Sequence, residues 1–169
     1  MRTLALTLLL LSVNVHASLL NQALHDNQFD TPVGDWMIGQ NNQAKYGYAR
    51  SGEYIFLVTC LKGQSECAAL FSQQGGCLDG TIANFNITDG NGQQLSASSP
   101  CIENQVFGWD TGLGNVDTKN VNFLFNSLDQ VDSESKKFLS VVATIPPNDL
   151  KYSATFSLIG GKQVIQFVK

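Results

Sequence analysis

Hydrophobic and polar positions change their period several times along this chain, and each change marks an element. Tyr54 to Val58 is an almost unbroken apolar run, the pattern of a core strand covered on both faces. Tyr54 to Cys60 therefore reads as a strand, Lys62 to Ser65 as a four-residue turn, and Glu66 to Phe71 as the returning strand. Asp35 to Gln40 reads as a strand anchored by Trp36, followed by a polar turn at Asn41 to Gln43. Ile82 to Ile87 and Gln94 to Ala97 flank Asp89-Gly90-Asn91-Gly92, a strong hairpin signal. Val106 to Trp109 is a short strand, and Phe138 to Ile145 is a long one stopped by Pro146-Pro147. Tyr152 to Leu158 alternates, with Tyr152, Ala154, Phe156 and Leu158 on one side.

Three segments carry a helical period. Ser18 to Phe29 places Leu19, Leu20, Ala23 and Leu24 at helical spacing, as a short helix or N-terminal arm ended by Thr31-Pro32. In Asn120 to Val131, Val121, Phe123 and Phe125 fit a strand, whereas Val121, Leu124, Phe125, Leu128 and Val131 trace one helical face. The helical pattern persists longer and Thr118 is placed to cap it, so a helix is predicted. The last segment, 162–169, stays open: Val164, Ile165 and Val168 share a helical side, while Val164, Gln166 and Val168 share a strand face. The sum is a mainly β fold, an antiparallel β-sandwich or jelly-roll-like domain with one or two short helices.

The first residues suggest a compartment. Arg2 supplies a positive start, Leu4 to Val15 a short apolar run, and Val15-His16-Ala17 a small-residue cleavage site. A signal peptide over 1–17 is expected, leaving a single β-rich domain over 18–169. The run is too short to span a bilayer, which takes about 20 apolar residues. Export then bears on the four cysteines. Successive cysteines are separated by six, nine and 23 residues, with no Cys-x-x-Cys pair. Only His25 would remain as a second soft ligand, too few for a closed zinc site. An even count in an oxidising compartment favours structural disulfides. The strand register sets Cys60 opposite Cys67, which leaves Cys77 with Cys101. No metal and no cofactor are expected.

Charge narrows the partners. The net charge is −4, and −5 once Arg2 is removed, which argues against nucleic acid, whose phosphates need a basic face. Charged residues make up only 14% of the chain, a surface rich in Asn, Gln, Ser and Gly being common among extracellular β proteins. Neither an internal repeat nor a low-complexity tract interrupts it.

Candidate chemistry is thin. A nucleophile-histidine site needs a positioned base, and His25 stands near a chain terminus. "DGNGQQ" superficially resembles a calcium loop, but Gln94 replaces the required glycine and Pro100 the bidentate Glu. Asn86-Ile87-Thr88 matches a glycosylation sequon. Asp110-Thr111-Gly112 is the tripeptide of aspartic proteases, with a loose echo in Leu158 to Gly161. Leu113 stands where those enzymes want a small residue, however, and Gly108 interrupts the preceding strand. Such an enzyme would pair two carboxylates about one proton, and a chain with one motif would have to dimerise. A glycosidase needs two carboxylates at suitable separation, and no spacing nominates a pair. Trp36, Trp109, Tyr46, Tyr48 and Tyr54 offer a sugar-stacking face, although aromatics on strands are more often core. Trp109, at a strand end beside Asp110 and a glycine-rich loop, is the exception. With Asn91 on the hairpin, these residues form the candidate binding surface.

Two stretches resemble a known family. "PVGDWMIG" and the tail, "LFNSLDQVDSESKKFLSVVAT" followed by "YSATFSLIGGKQVIQFV", are similar to the invasion-associated locus B proteins of bacterial envelopes. The tail resembles that family's closing arrangement of helix, strand, and Phe-Ser-Leu-x-Gly leading into an apolar helix. The likeness covers about a third of the chain, and where members often carry a cysteine after the tryptophan strand, Gly39 and Gln40 stand here. It implies an exported, non-catalytic, β-rich protein linked to envelope or host-surface contact. Two readings follow. The favoured one is a periplasmic or secreted, non-enzymatic binding protein acting through surface loops on an envelope component, a host surface molecule or a lytic enzyme. The alternative is a carboxylate-dependent hydrolase, aspartic-protease-like or a glycosidase, using Asp110.

Overall fold

The computed structural model describes residues 30–73, 76–104, 106–130, 137–146 and 150–169. The expected signal peptide over 1–17 and the helical segment over 18–29, with His25, lie outside the described residues, as does Val131. Ten strands run β1 (Thr31–Val33), β2 (Trp36–Gln40), β3 (Ala44–Ser51), β4 (Tyr54–Leu61), β5 (Cys67–Gln73), β6 (Ile82–Thr88), β7 (Gln94–Pro100), β8 (Val106–Asp110), β9 (Phe138–Ile145) and β10 (Leu150–Ser157). Helix α1 (Asn115–Asp129) lies between β8 and β9, and α2 (Gly161–Val168) follows β10. The strands form two sheets, six in the order β1-β2-β3-β4-β5-β8 and four in the order β10-β9-β6-β7. The paired strands within both are antiparallel. The expected mainly β fold of antiparallel sheets with one or two helices is what the structure shows, with two α-helices among the described residues.

The sandwich is filled by aromatic rings from both sheets. Phe56 of β4 stacks on Phe71 of β5 at 4.6 Å, and Phe156 of β10 comes within 5.7 Å of Phe56. Phe85 of β6 meets Trp109 of β8 edge-to-face at 5.3 Å. Edge-to-face and offset contacts of this kind suit the ring quadrupoles and add to the gain from burial. Leu124, Phe125 and Leu128 of α1 and Val164, Ile165 and Val168 of α2 join the same cluster, so both helices share the filled face of the larger sheet.

Each lateral seam is fastened by an indole. Trp36 of β2 donates its Nε1–H to the Ser157 carbonyl of β10 at 2.9 Å, and Trp109 of β8 donates to the Ser98 carbonyl of β7 at 3.1 Å. Beside the second tie, the buried Ser99 hydroxyl donates to the Gly108 carbonyl and accepts from the Gly108 N–H. A buried tryptophan needs a partner for its N–H, and here that need joins the two sheets.

Two glycines are explained by close approach. A side chain at Gly47 of β3 would run into Val164, so the missing side chain lets α2 sit against the sheet. Gly160 adopts φ 93° before α2, and a side chain there would collide with the Val33 carbonyl at the end of β1.

Several expectations are corrected. α1 begins at Asn115, five residues before the predicted start. Its N-cap is Gly114 at φ 131° rather than Thr118. Thr118 lies inside the first turn, where its hydroxyl donates back to the Gly114 carbonyl at 2.9 Å. The open C-terminal segment is a helix, because Val164, Ile165 and Val168 are all buried, at helical spacing. β1 and β3 were missed. In β3 the alternation of Ala44, Tyr46 and Tyr48 was masked by Lys45, Gly47 and Arg50.

The disulfides are Cys60–Cys67 and Cys77–Cys101, with Cα separations of 4.0 and 6.0 Å. Cys60 and Cys67 are directly opposed in the β4–β5 ladder, as the turn length required. Among the described residues, no helix is long and apolar enough to cross a membrane.

Candidate functional site

Asp110 ends β8 and is only 5% exposed. Its Oδ1 accepts the Gly112 N–H at 2.7 Å, capping the short 3-10 turn Thr111–Leu113. The next hydroxyl, on Thr111, accepts the Cys67 N–H at 2.9 Å, so this turn also holds the Cys60–Cys67 end of the larger sheet. A second carboxylate is close. Asp117, in the first turn of α1, takes a backbone hydrogen bond from Asp110. Burial, together with the Asp110 charge, nevertheless raises its pKa above the ordinary value. Trp109 is 2% exposed and its indole is spent on Ser98, which corrects the expectation of an accessible ring at the strand end. Trp36, Tyr46 and Tyr48 are buried as well, so they form no exposed stacking face.

Asn91 is exposed at the β6–β7 hairpin tip. Asp89 shapes that tip by accepting the Asn91 and Gln93 N–H groups on Oδ1, at 2.9 and 2.8 Å. Asn91 donates to Gln130 Oε1 at 3.1 Å and accepts from Lys137 Nζ at 2.6 Å, pinning the hairpin to the far end of α1. Asp110 and Asn91 thus sit at opposite ends of a 15-residue helix, a span of about 22 Å. The three candidate residues do not make one surface.

Two concavities lie elsewhere. An apolar slot of about 40 Å³ between Tyr54, Phe71, Phe85, Phe107, Tyr152 and Phe156 falls far short of the about 300 Å³ at which ligand pockets begin. An open groove of about 620 Å³ beside the Cys60–Cys67 turn is lined by Lys45, Lys62 and Lys169. Two of those ammonium groups are already held over rings, Lys45 5.6 Å from Phe167 and Lys169 5.6 Å from Phe125. Neither concavity is lined by Asp110.

A polar surface in regular rows is the outer face of the four-stranded sheet. Pairing registers its side chains into rows: Lys151, Thr144, Asn84 and Ser98; then Ser153, Val142, Asn86 and Ser96; then Thr155, Ser140, Thr88 and Gln94. Asn84 and Asn86 are exposed, and each accepts through Oδ1 from the serine hydroxyl beside it, Ser98 at 2.7 Å and Ser96 at 2.9 Å. Those bonds hold the amide planes while their N–H groups remain donors. Lys151, at the edge, is the only charged residue among the described strand positions of this face. The signal was present in Ala83 to Thr88, where Asn84, Asn86 and Thr88 alternate with the buried Ala83, Phe85 and Ile87.

No family model, curated protein or solved structure matches this chain.

Proposed function

We propose that this chain is an exported, non-enzymatic binding protein of the bacterial envelope, and that it acts through the amide and hydroxyl face of the four-stranded sheet on a polyhydroxylated, uncharged glycan. The observation that carries this reading is the registered Asn84–Ser98 and Asn86–Ser96 ladder on a rigid, nearly uncharged sheet face. A sugar hydroxyl both donates and accepts, and an asparagine amide does the same in a fixed plane. A face with its side chains already hydrogen-bonded loses little entropy on binding. The two disulfides support an oxidising compartment. The likeness of the Trp36 strand and the closing segment to invasion-associated locus B proteins points the same way. The site moves from loops to sheet because Trp109 and Asp110 are committed to the interior.

The test is co-sedimentation with peptidoglycan sacculi and with neutral polysaccharides. Asn84→Ala with Asn86→Ala is expected to lower retention about tenfold, two lost hydrogen bonds being worth on the order of 1–3 kcal/mol together. Lys62→Ala in the groove is expected to leave retention unchanged. Equal retention of the parent and the double asparagine variant, or none by the parent on any glycan, would overturn the proposal.

One observation favours the hydrolase reading, the Asp110–Asp117 pair with its raised Asp117. Turnover of denatured protein or peptidoglycan that disappears in Asp110→Asn would establish it.

A further inference from the structure

Among the described residues only one aromatic side chain is exposed, and it stands on the polar face of the four-stranded sheet. Phe138 opens β9 and is 50% exposed, while Leu139 beside it is wholly buried. Strand side chains alternate between faces, so Phe138 shares the outer side with Ser140, Val142 and Thr144. It joins neither of the buried apolar clusters. Trp36, Trp109, Tyr46 and Tyr48 are all buried, so a stacking surface cannot come from them.

Strand pairing sets this ring in line with the amide ladder. Asn84 pairs with Thr144, Asn86 with Val142 and Thr88 with Ser140, and Phe138 is the next outer position along β9. At about 3.4 Å per residue, it stands about 14 Å beyond the Asn86 row and about 20 Å beyond the Asn84 row. The Thr88 and Ser140 hydroxyls lie between. A pyranose has two kinds of surface to offer such a face. Its hydroxyl rim donates and accepts, as the asparagine amides do, and its C–H faces are apolar, as the ring of Phe138 is.

We propose that Phe138 is the stacking platform of this face, and that its ligand is a linear β-1,4-linked chain of pyranoses with equatorial hydroxyls, laid along β6 and β9 from Asn84 to Phe138. No single sugar ring reaches from the asparagines to Phe138, so the ligand is an oligosaccharide. Equatorial hydroxyls leave the C–H face of each ring unbroken for the aromatic contact. The β-1,4 linkage keeps the chain extended, matching the straight rows of a sheet, whereas an α-1,4 linkage coils it away from the surface. The inference rests on the glycan reading and deepens it. The asparagines hold the hydroxyls, and Phe138 sets the length and linkage that are accepted.

The test is isothermal titration calorimetry of the purified protein with N-acetylglucosamine and its β-1,4-linked oligomers of rising length. Affinity is expected to climb with length until the oligomer spans the face, and then to level off. Phe138→Ala should leave the shortest binding oligomers unchanged and weaken the longest about tenfold, the scale of one lost aromatic contact. Phe138→Trp should keep the parent's length dependence. Leu150→Ala, at a residue as exposed but on the inward side of β10, should change nothing. If the alanine variant loses its circular dichroism signal, Phe138→Leu removes the aromatic face at similar bulk and gives the same reading. The proposal is overturned if these substitutions leave the longest oligomer bound as tightly as by the parent, or if affinity does not depend on length. Equal binding of α-1,4-linked glucose oligomers, or binding of other neutral glycans but none of these oligomers, would overturn it as well. Each of those results leaves the glycan reading standing while Asn84→Ala with Asn86→Ala still lowers retention. A parent that binds no glycan at all would end both.

Discussion

Asp110 and Asp117 show how a residue's surroundings set its hydrogen bonds and its charge. Asp110 is engaged by the Gly112 N–H at the start of a turn that also holds Cys67. Asp110→Ala is therefore expected to cost about 1 kcal/mol, as loss of a capping carboxylate does, while Asp110→Asn keeps the acceptor and costs less. Urea midpoints of the two variants check this. Asp117 titrates with its folded-state pKa raised above the unfolded value, because burial disfavours its charged form. Its contribution to stability is thus fully present below the ordinary carboxylate range and is lost as pH rises through the raised value. Asp117→Asn should melt higher than the parent at neutral pH, and the difference should vanish as pH falls through the carboxylate range. The Asp-Thr-Gly tripeptide was legible as a pattern, but three residues carry no information about burial. That Asp110 is buried and caps the turn after β8 comes from the neighbouring strand and turn.

Among the elements, the seams depend on single donors. Trp36→Phe keeps the ring in the core and removes the N–H that reaches the Ser157 carbonyl, and should cost on the order of 1–2 kcal/mol. Thermal unfolding followed by near-UV circular dichroism measures it. Most of the element pattern was readable, because alternation survives wherever one strand face is buried and the other is not. The β6–β7 hairpin, β9 and the Cys60–Cys67 register were all recovered on that ground. β3 was not, because Gly47 stands at an inward position that α2 needs empty. α1 was recovered as a helix but not its start, because Gly114 rather than a hydroxyl side chain begins it. The Asn84–Ser98 and Asn86–Ser96 ladder was legible only as alternation. Its chemistry depends on which strand lies alongside, and that is a property of the sheet.

At the scale of the whole molecule, two crosslinks act on different lengths of chain. Cys60–Cys67 spans seven residues and Cys77–Cys101 spans 24. Loop-closure entropy gives about 2.5 and 3.5 kcal/mol respectively, so losing the longer bridge should cost about 1 kcal/mol more. Separate Cys→Ser pairs compared by guanidinium unfolding would show the order. The longer bridge joins the segment before β6 to the end of β7, and thereby fixes the approach to β8 and its Trp109 seam.

The account as a whole rests on an exported chain whose sulfur is structural. Its most direct test is mass spectrometry of the protein recovered from the cells that make it, alkylated without prior reduction. The account predicts an N-terminus at Ser18, no alkylated cysteine, and peptides joined as Cys60–Cys67 and Cys77–Cys101. A chain still beginning at Met1 with four alkylated thiols would contradict it.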